Sequence, residues 1–64
     1  MEDLKFTVKA LAALKNISIE ELANKAGISA NHLRKVSSGI VRMTAEDLMN
    51  LSRVTGVPPE NIKY

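Results

Sequence analysis

The sequence has no cysteine and no long run of apolar residues. Without cysteine there is no disulfide, no thiolate metal ligand and no cysteine nucleophile, which fits a reducing compartment. A membrane helix needs roughly 20 consecutive apolar residues, and the opening "MEDLKF" carries acids where a signal peptide would carry cations. We therefore expect a cytoplasmic protein with no membrane partner.

Acidic residues are missing from the middle of the chain. All seven acids lie before residue 25 or after residue 42. The segment between them carries the cations Lys25, Arg34, Lys35 and Arg42. Such a segment is a candidate contact for an anion, and the alternative is that the cations only keep the surface solvated.

The length allows a single hydrophobic core, so we expect one domain over residues 1–64. No alternating run of β-branched or aromatic residues exceeds four positions, which favours an all-α fold. The spacing of Leu4, Val8, Leu11 and Leu14 predicts a first helix from about Asp3 to Lys15.

Local capping signals mark the next two helices. Ser18 and Glu21 form the pattern of a capping box at the start of the second helix, and Gly27 ends it. Ser29 is the N-cap of a third helix, which runs from Ala30 to about Ser37.

The remaining helices follow the same logic. Gly39 ends the third helix, and Thr44 and Gly56 bound a fourth. Pro59 suits the first turn of a short fifth helix that returns Ile62 to the core. The inward residues of the fourth helix are expected to be Leu48, Leu51 and either Met49 or Val54.

Helices two and three are separated only by "GIS". Two helices that cross at about 90 to 120° through such a short turn approach each other closely, so only small side chains fit there. Ala23 and Gly27 meet this need, and the spacing predicts a helix-turn-helix motif over about residues 19–38. The apolar residues expected to face helices one and four are Leu22, Ala26, Ile28, Leu33 and Val36.

The segments "LAALKNISIEELANKAGIS", "HLRKVSSGI" and "LMNLSRVTGVPPENI" resemble the phage repressor and Cro-like helix-turn-helix domains of transcription regulators. The resemblance covers nearly the whole chain. It implies a five-helix, lambda-repressor-like fold that binds double-stranded DNA with the third helix in the major groove. The implied function is sequence-specific regulation of transcription.

On this resemblance the exposed face of the third helix reads bases through Ala30, Asn31, Arg34 and Lys35. Asn31 can pair with adenine, Arg34 or Lys35 can donate to guanine, and Ala30 can touch a thymine methyl. Contacts to the phosphate backbone are expected at Ser18, Ile19, Ser29, His32 and Arg42, with Lys15, Asn16 and Lys25 as weaker candidates.

The chain departs from the family pattern at three places. Ile19 stands where the family often has a glutamine, so one bracing contact to a recognition residue is expected to be missing. Ala12 and Ser37 stand where the family commonly pairs arginine with glutamate, and losing both partners costs less than losing one. After Gly39 the family often has basic residues that contact phosphate, whereas this chain has Ile40 and Val41. Ile40 is expected to fill the core, and the alternative is that Val41 and Met43 form an exposed apolar patch for a protein partner.

Two copies of the third helix spaced about 34 Å apart would meet successive major grooves. The candidate interface for such a homodimer comprises Val57, Pro58, Ile62 and Tyr64, and the alternative is that these residues close the core. The chain can be a whole Cro-sized protein or the head of a longer repressor.

Two rival functions remain. Ile19, Val41 and the low charge would suit a protein-interaction module of the same fold that modulates another repressor. An enzyme is disfavoured, because Ser29 is explained as an N-cap and no carboxylate lies near His32 in the sequence. A lone histidine without cysteine is a weak metal ligand, so we expect no metal and no cofactor.

Overall fold

The computed structural model describes residues 5–63. Within them the chain forms four α-helices and one 3-10 turn: α1 Val8–Lys15, α2 Ile19–Ala26, α3 Ala30–Ser38, α4 Ala45–Thr55 and the 3-10 turn Pro59–Asn61. No helix in this part of the chain has the length and apolar character to cross a membrane. The all-α prediction is confirmed, and the predicted fifth helix is a single 3-10 turn.

Hydroxyl side chains and left-handed residues bound the four α-helices. The side chain that precedes each helix accepts a hydrogen bond from the backbone N–H three residues later. These N-caps are Thr7, Ser18, Ser29 and Thr44, and the left-handed residues that end the helices are Asn16, Gly27, Gly39 and Gly56. Six of these eight boundary residues were predicted, which leaves Thr7 and Asn16 as new.

The complete capping box lies at α4 and not at α2. At α4 Thr44 and Asp47 exchange both bonds between side chain and backbone. At α2 only the bond from the Glu21 N–H to Ser18 Oγ is present in the described structure.

The first helix begins at Val8, which corrects its predicted start near Asp3. Phe6 is extended instead, because its N–H donates to the Asn61 carbonyl at 2.6 Å and its carbonyl accepts from the Lys63 N–H at 2.8 Å. This short parallel bridge ties the chain ahead of α1 to its C-terminal end. Asp3 and Leu4 lie outside the described residues.

Helix α2 is central and packs against each of the other three α-helices. The buried apolar core comprises Val8, Leu11, Ala12, Leu22, Ala23, Ala26, Ile28, Leu33, Met43, Leu51, Val57 and Ile62. Val36, Leu48 and Val54 pack at its margin. Of the two alternatives for the remaining inward position of α4, Val54 packs against the core, whereas Met49 is 59% exposed. Leu14 on α1 is 53% exposed.

Three further expectations about burial are corrected. Ile40 does not fill the core, since it is 74% exposed, whereas Met43 is buried at 6% and forms no exposed patch with Val41. Val57 and Ile62 are buried at 7% and 0%, so for these two residues the alternative holds that they close the core, and they do not form the candidate dimer interface. Of the other two residues proposed there, Pro58 is exposed and Tyr64 lies outside the described residues.

The junction of α2 and α3 is held by backbone geometry. Gly27 has φ +71°, and the Ile28 N–H behind it donates to the Ala23 carbonyl at 2.8 Å. This pattern ends α2 and closes its last turn. Ala23 has no exposed surface and belongs to the buried core at this junction.

We predict that Ala23→Leu destabilises the domain by about 1 to 3 kcal/mol, because added methylenes in a filled core force backbone shifts. Denaturant unfolding followed by circular dichroism measures the change. Ala13→Leu is the matched control, since Ala13 is exposed on α1. Equal stability of the two variants would show that the helix crossing is not tightly packed.

Candidate nucleic-acid interface

Helix α3 turns one polar stripe outward. Asn31, Arg34, Lys35 and Ser38 are exposed at spacings of three and four residues, while Leu33 on the opposite side has no exposed surface. Ala30 does not belong to this stripe as predicted, because it is half-buried and packs against the core. The outward stripe therefore offers one amide and two cations.

The first turn of α2 lies beside this stripe. Nη2 of Arg34 forms an ion pair with Oε2 of Glu20, and both side chains are more than half exposed. This contact corrects the expectation that Arg34 is unopposed. The segment from residue 25 to residue 42 has no acid of its own, but Glu20 of the neighbouring helix lies against it.

Backbone N–H donors are available at the starts of both α2 and α3. Ser18 and Ser29 each cap one N–H at the third helical position of α2 and α3. The N–H groups of the first two helical positions have no acceptor within residues 5–63, and they belong to Ile19, Glu20, Ala30 and Asn31. Free N–H groups at a helix start attract anions. The Ile19 side chain packs against the core, so this residue offers only its backbone.

Three predicted cations remain exposed without an ion pair among the described residues. They are Lys25 at the end of α2, Lys35 on the outward stripe and Arg42 beyond α3. Within residues 5–63 no acid pairs with these three cations, whereas Arg34 has Glu20.

A histidine–carboxylate bond joins α3 to α4. Nε2 of His32 lies 2.7 Å from Oδ2 of Asp47, and because an ionised carboxylate only accepts, Nε2 carries the hydrogen. The same oxygen accepts from the Thr44 N–H at 3.4 Å, while the Asp47 N–H donates to Thr44 Oγ1 at 3.1 Å. One carboxylate thus caps α4 and fixes the first turn of α3.

This bond corrects the expected role of His32. The sequence suggested a histidine that faces solvent or phosphate, whereas about two thirds of the side chain is buried and Nε2 is occupied. His32 is therefore placed to position α3 and not to contact phosphate through Nε2.

Burial alone would raise the pKa of Asp47, but hydrogen bonds from His32 and Thr44 outweigh it and lower the pKa below its ordinary value. The folded domain therefore favours the ionised carboxylate.

Ser29 and His32 do not form a nucleophile–base pair. Ser29 Oγ accepts the His32 backbone N–H at 3.1 Å, while the imidazole is turned towards Asp47. A groove of about 280 Å³ lies elsewhere, between the start of α1 and the end of α3, and neither residue lines it. The described residues contain no cluster of three histidine or carboxylate side chains that could hold a metal ion.

A family model described as helix-turn-helix matches residues 8–62. The chain therefore belongs to the Cro/C1-type helix-turn-helix family, which confirms the resemblance to lambda-repressor-like domains. It is a DNA-binding helix-turn-helix domain of a regulatory family that is not typically enzymatic. No match was found among curated proteins or among solved structures.

The contacts that Glu20 and Asp47 make with α3 were not predicted from the sequence. Glu20 pairs with Arg34 and Asp47 pairs with His32. The capping-box spacing of Thr44 and Asp47 was a signal for the bonds within α4, but it carried no information about His32.

We predict that Asp47→Asn lowers the free energy of unfolding by about 1 to 3 kcal/mol near neutral pH, because it removes a charged hydrogen-bond acceptor. The lowered pKa means that the stabilisation is complete above the unfolded-state pKa, near 3.8, and is lost as pH falls through the folded-state value. Unfolding in denaturant at several acidic pH values should thus show a shallower acid dependence in the variant.

Glu46→Gln is the control for this comparison, since Glu46 is exposed in the same turn of α4. An Asp47→Asn variant with the wild-type acid dependence would contradict the assigned role of the carboxylate.

Proposed function

We propose that this chain is a sequence-specific DNA-binding transcription regulator of the repressor and Cro type, with α3 in the major groove. The contact between Glu20 and Arg34 carries the proposal, since it brings the uncapped N–H groups of α2 beside the outward stripe of α3. Donors for phosphate and donors for base edges then lie on one face. That combination is what a helix-turn-helix domain needs on a duplex.

The outward stripe supplies the base contacts in this proposal. Asn31 pairs with adenine through N6 and N7, and Arg34 or Lys35 donates to guanine O6 and N7. One helical turn rises 5.4 Å and base pairs repeat about every 3.4 Å, so side chains one turn apart reach base pairs one or two steps apart. Ala30 is half-buried, which leaves its methyl group at most an edge contact with thymine.

Phosphate contacts come from the N–H groups of Ile19 and Glu20 and from the exposed cations, chiefly Arg42. Each neutralised phosphate adds about −0.9 to the slope of log K against log salt, so a few contacts give modest, salt-sensitive affinity. Two copies on successive grooves would raise that affinity. The contact between the copies would have to avoid Val57 and Ile62, which the core already uses.

We expect a short random-sequence duplex at low salt to shift the backbone amide signals of residues 18–20, 29–35 and 42 of the labelled chain. These residues form the proposed phosphate-contacting and base-reading face, and higher salt should reduce the shifts. Amides around Leu14 and Met49, which are exposed on α1 and α4, are the internal control. An absence of shifts at low salt would contradict DNA binding through this face.

We predict that Asn31→Ala weakens binding to a selected operator by about 1 to 3 kcal/mol, or about 5- to 150-fold, and hardly changes affinity for random duplex. The reason is that Asn31 is neutral and contributes to base reading alone. Fluorescence anisotropy with both duplexes measures the two affinities. Asn50→Ala, the same change on α4, is the matched control. An equal loss of affinity of the Asn31→Ala variant for both duplexes would show that Asn31 does not read bases.

A second candidate function is supported by one observation. Ile40 is 74% exposed directly after α3, and Val41 beside it is half-buried. An exposed aliphatic residue next to the recognition helix would suit a protein-interaction module that binds another repressor. Amide shifts confined to residues 40 and 41 on addition of such a repressor, with no response to duplex, would favour this function.

A further inference from the structure

We propose that Glu20 is a specificity-determining residue, whose carboxylate holds the Arg34 guanidinium in position to read guanine. This inference rests on the proposed function, since it concerns the geometry of one base contact. It assigns a positioning role to an acid on the DNA-facing side of α2.

The geometry of the pair leaves the reading edge of Arg34 available. Oε2 of Glu20 engages Nη2 of Arg34 from the side of α2. A guanidinium has five N–H donors in a planar fork, so one bond to the carboxylate leaves enough donors for O6 and N7 of guanine. The carboxylate therefore restrains the guanidinium and leaves most of its N–H donors available.

Restraining the guanidinium of Arg34 changes the entropic cost of its contact with a base. A free arginine side chain loses rotamer freedom when it makes a bidentate contact. An arginine already restrained by Glu20 loses less of that freedom. Lys35 has no carboxylate partner among the described residues and presents a point charge, which lacks the fork. Guanine is therefore read by Arg34 and not by Lys35.

The charge of Glu20 has the opposite effect on overall affinity. It lies at the start of α2, beside the N–H groups proposed to bind phosphate, where an acid repels every duplex equally. A surface ion pair of this exposure contributes little to folding stability. Glu20 thus lowers affinity for all sequences while it favours those with guanine opposite Arg34, which is a way to gain specificity.

The test uses an operator selected by the wild-type chain. The base pair that Arg34 reads is the G·C pair whose replacement weakens binding of the wild-type chain but not of the Arg34→Ala variant. We expect Glu20→Gln to raise affinity for random duplex and to reduce the preference for G·C over A·T at that pair by about 5-fold or more. Glu21→Gln removes the same charge from the next, exposed residue. It should leave the preference within about 2-fold.

Two further variants separate position from charge. Glu20→Asp keeps the charge on a shorter side chain, so it should lower the guanine preference while random-duplex affinity stays at the wild-type level. In the Arg34→Ala background Glu20→Gln should have no further effect on the preference. Unchanged melting temperatures, expected for an exposed pair, show that each variant is folded.

The outcomes distinguish this inference from the function on which it rests. If the wild-type chain selects an operator but Glu20→Gln keeps or increases the guanine preference, the positioning role of Glu20 is wrong and the proposed function stands. If the wild-type chain binds no duplex, both are wrong.

Discussion

The close crossing of α2 and α3 is the constraint on which the rest of the structure depends. At this crossing Ala23 is fully buried and Gly27 adopts a left-handed conformation. Because α2 also packs against α1 and α4, its angle to α3 sets how the whole domain presents the outward stripe. The same packing brings Glu20 at the start of α2 to Arg34 in the middle of α3.

Most helix boundaries could be predicted because their signals are local. Ser18 and Ser29 cap an N–H three residues away, and Gly27 closes the turn just before it, so a few residues of sequence contain the whole interaction. The start of α1 could not be predicted in this way. Phe6 is extended because its backbone bonds to Asn61 and Lys63, and a helical spacing of apolar residues cannot reveal a partner so distant in the chain.

The candidate interface shows the same division between local and distant information. Helical periodicity placed Asn31, Arg34 and Lys35 on an exposed face, as the structure has them. It could not show that Arg34 is paired with Glu20 or that the imidazole of His32 turns to Asp47, because both contacts depend on the relative orientation of two helices. Counting charges along the sequence therefore overestimated the number of unpaired cations at the candidate interface, because Arg34 is paired with Glu20.

The two contacts hold α3 in different ways. The bond from His32 to Asp47 is partly buried and shares its carboxylate with the cap of α4, so the first turn of α3 and the start of α4 are fixed together. The pair of Arg34 with Glu20 is exposed, and salt screens exposed charges much more than buried ones. The backbone of α3 is therefore positioned by an interaction that salt screens only weakly, whereas the Arg34 side chain, proposed to read guanine, is oriented by one that salt weakens.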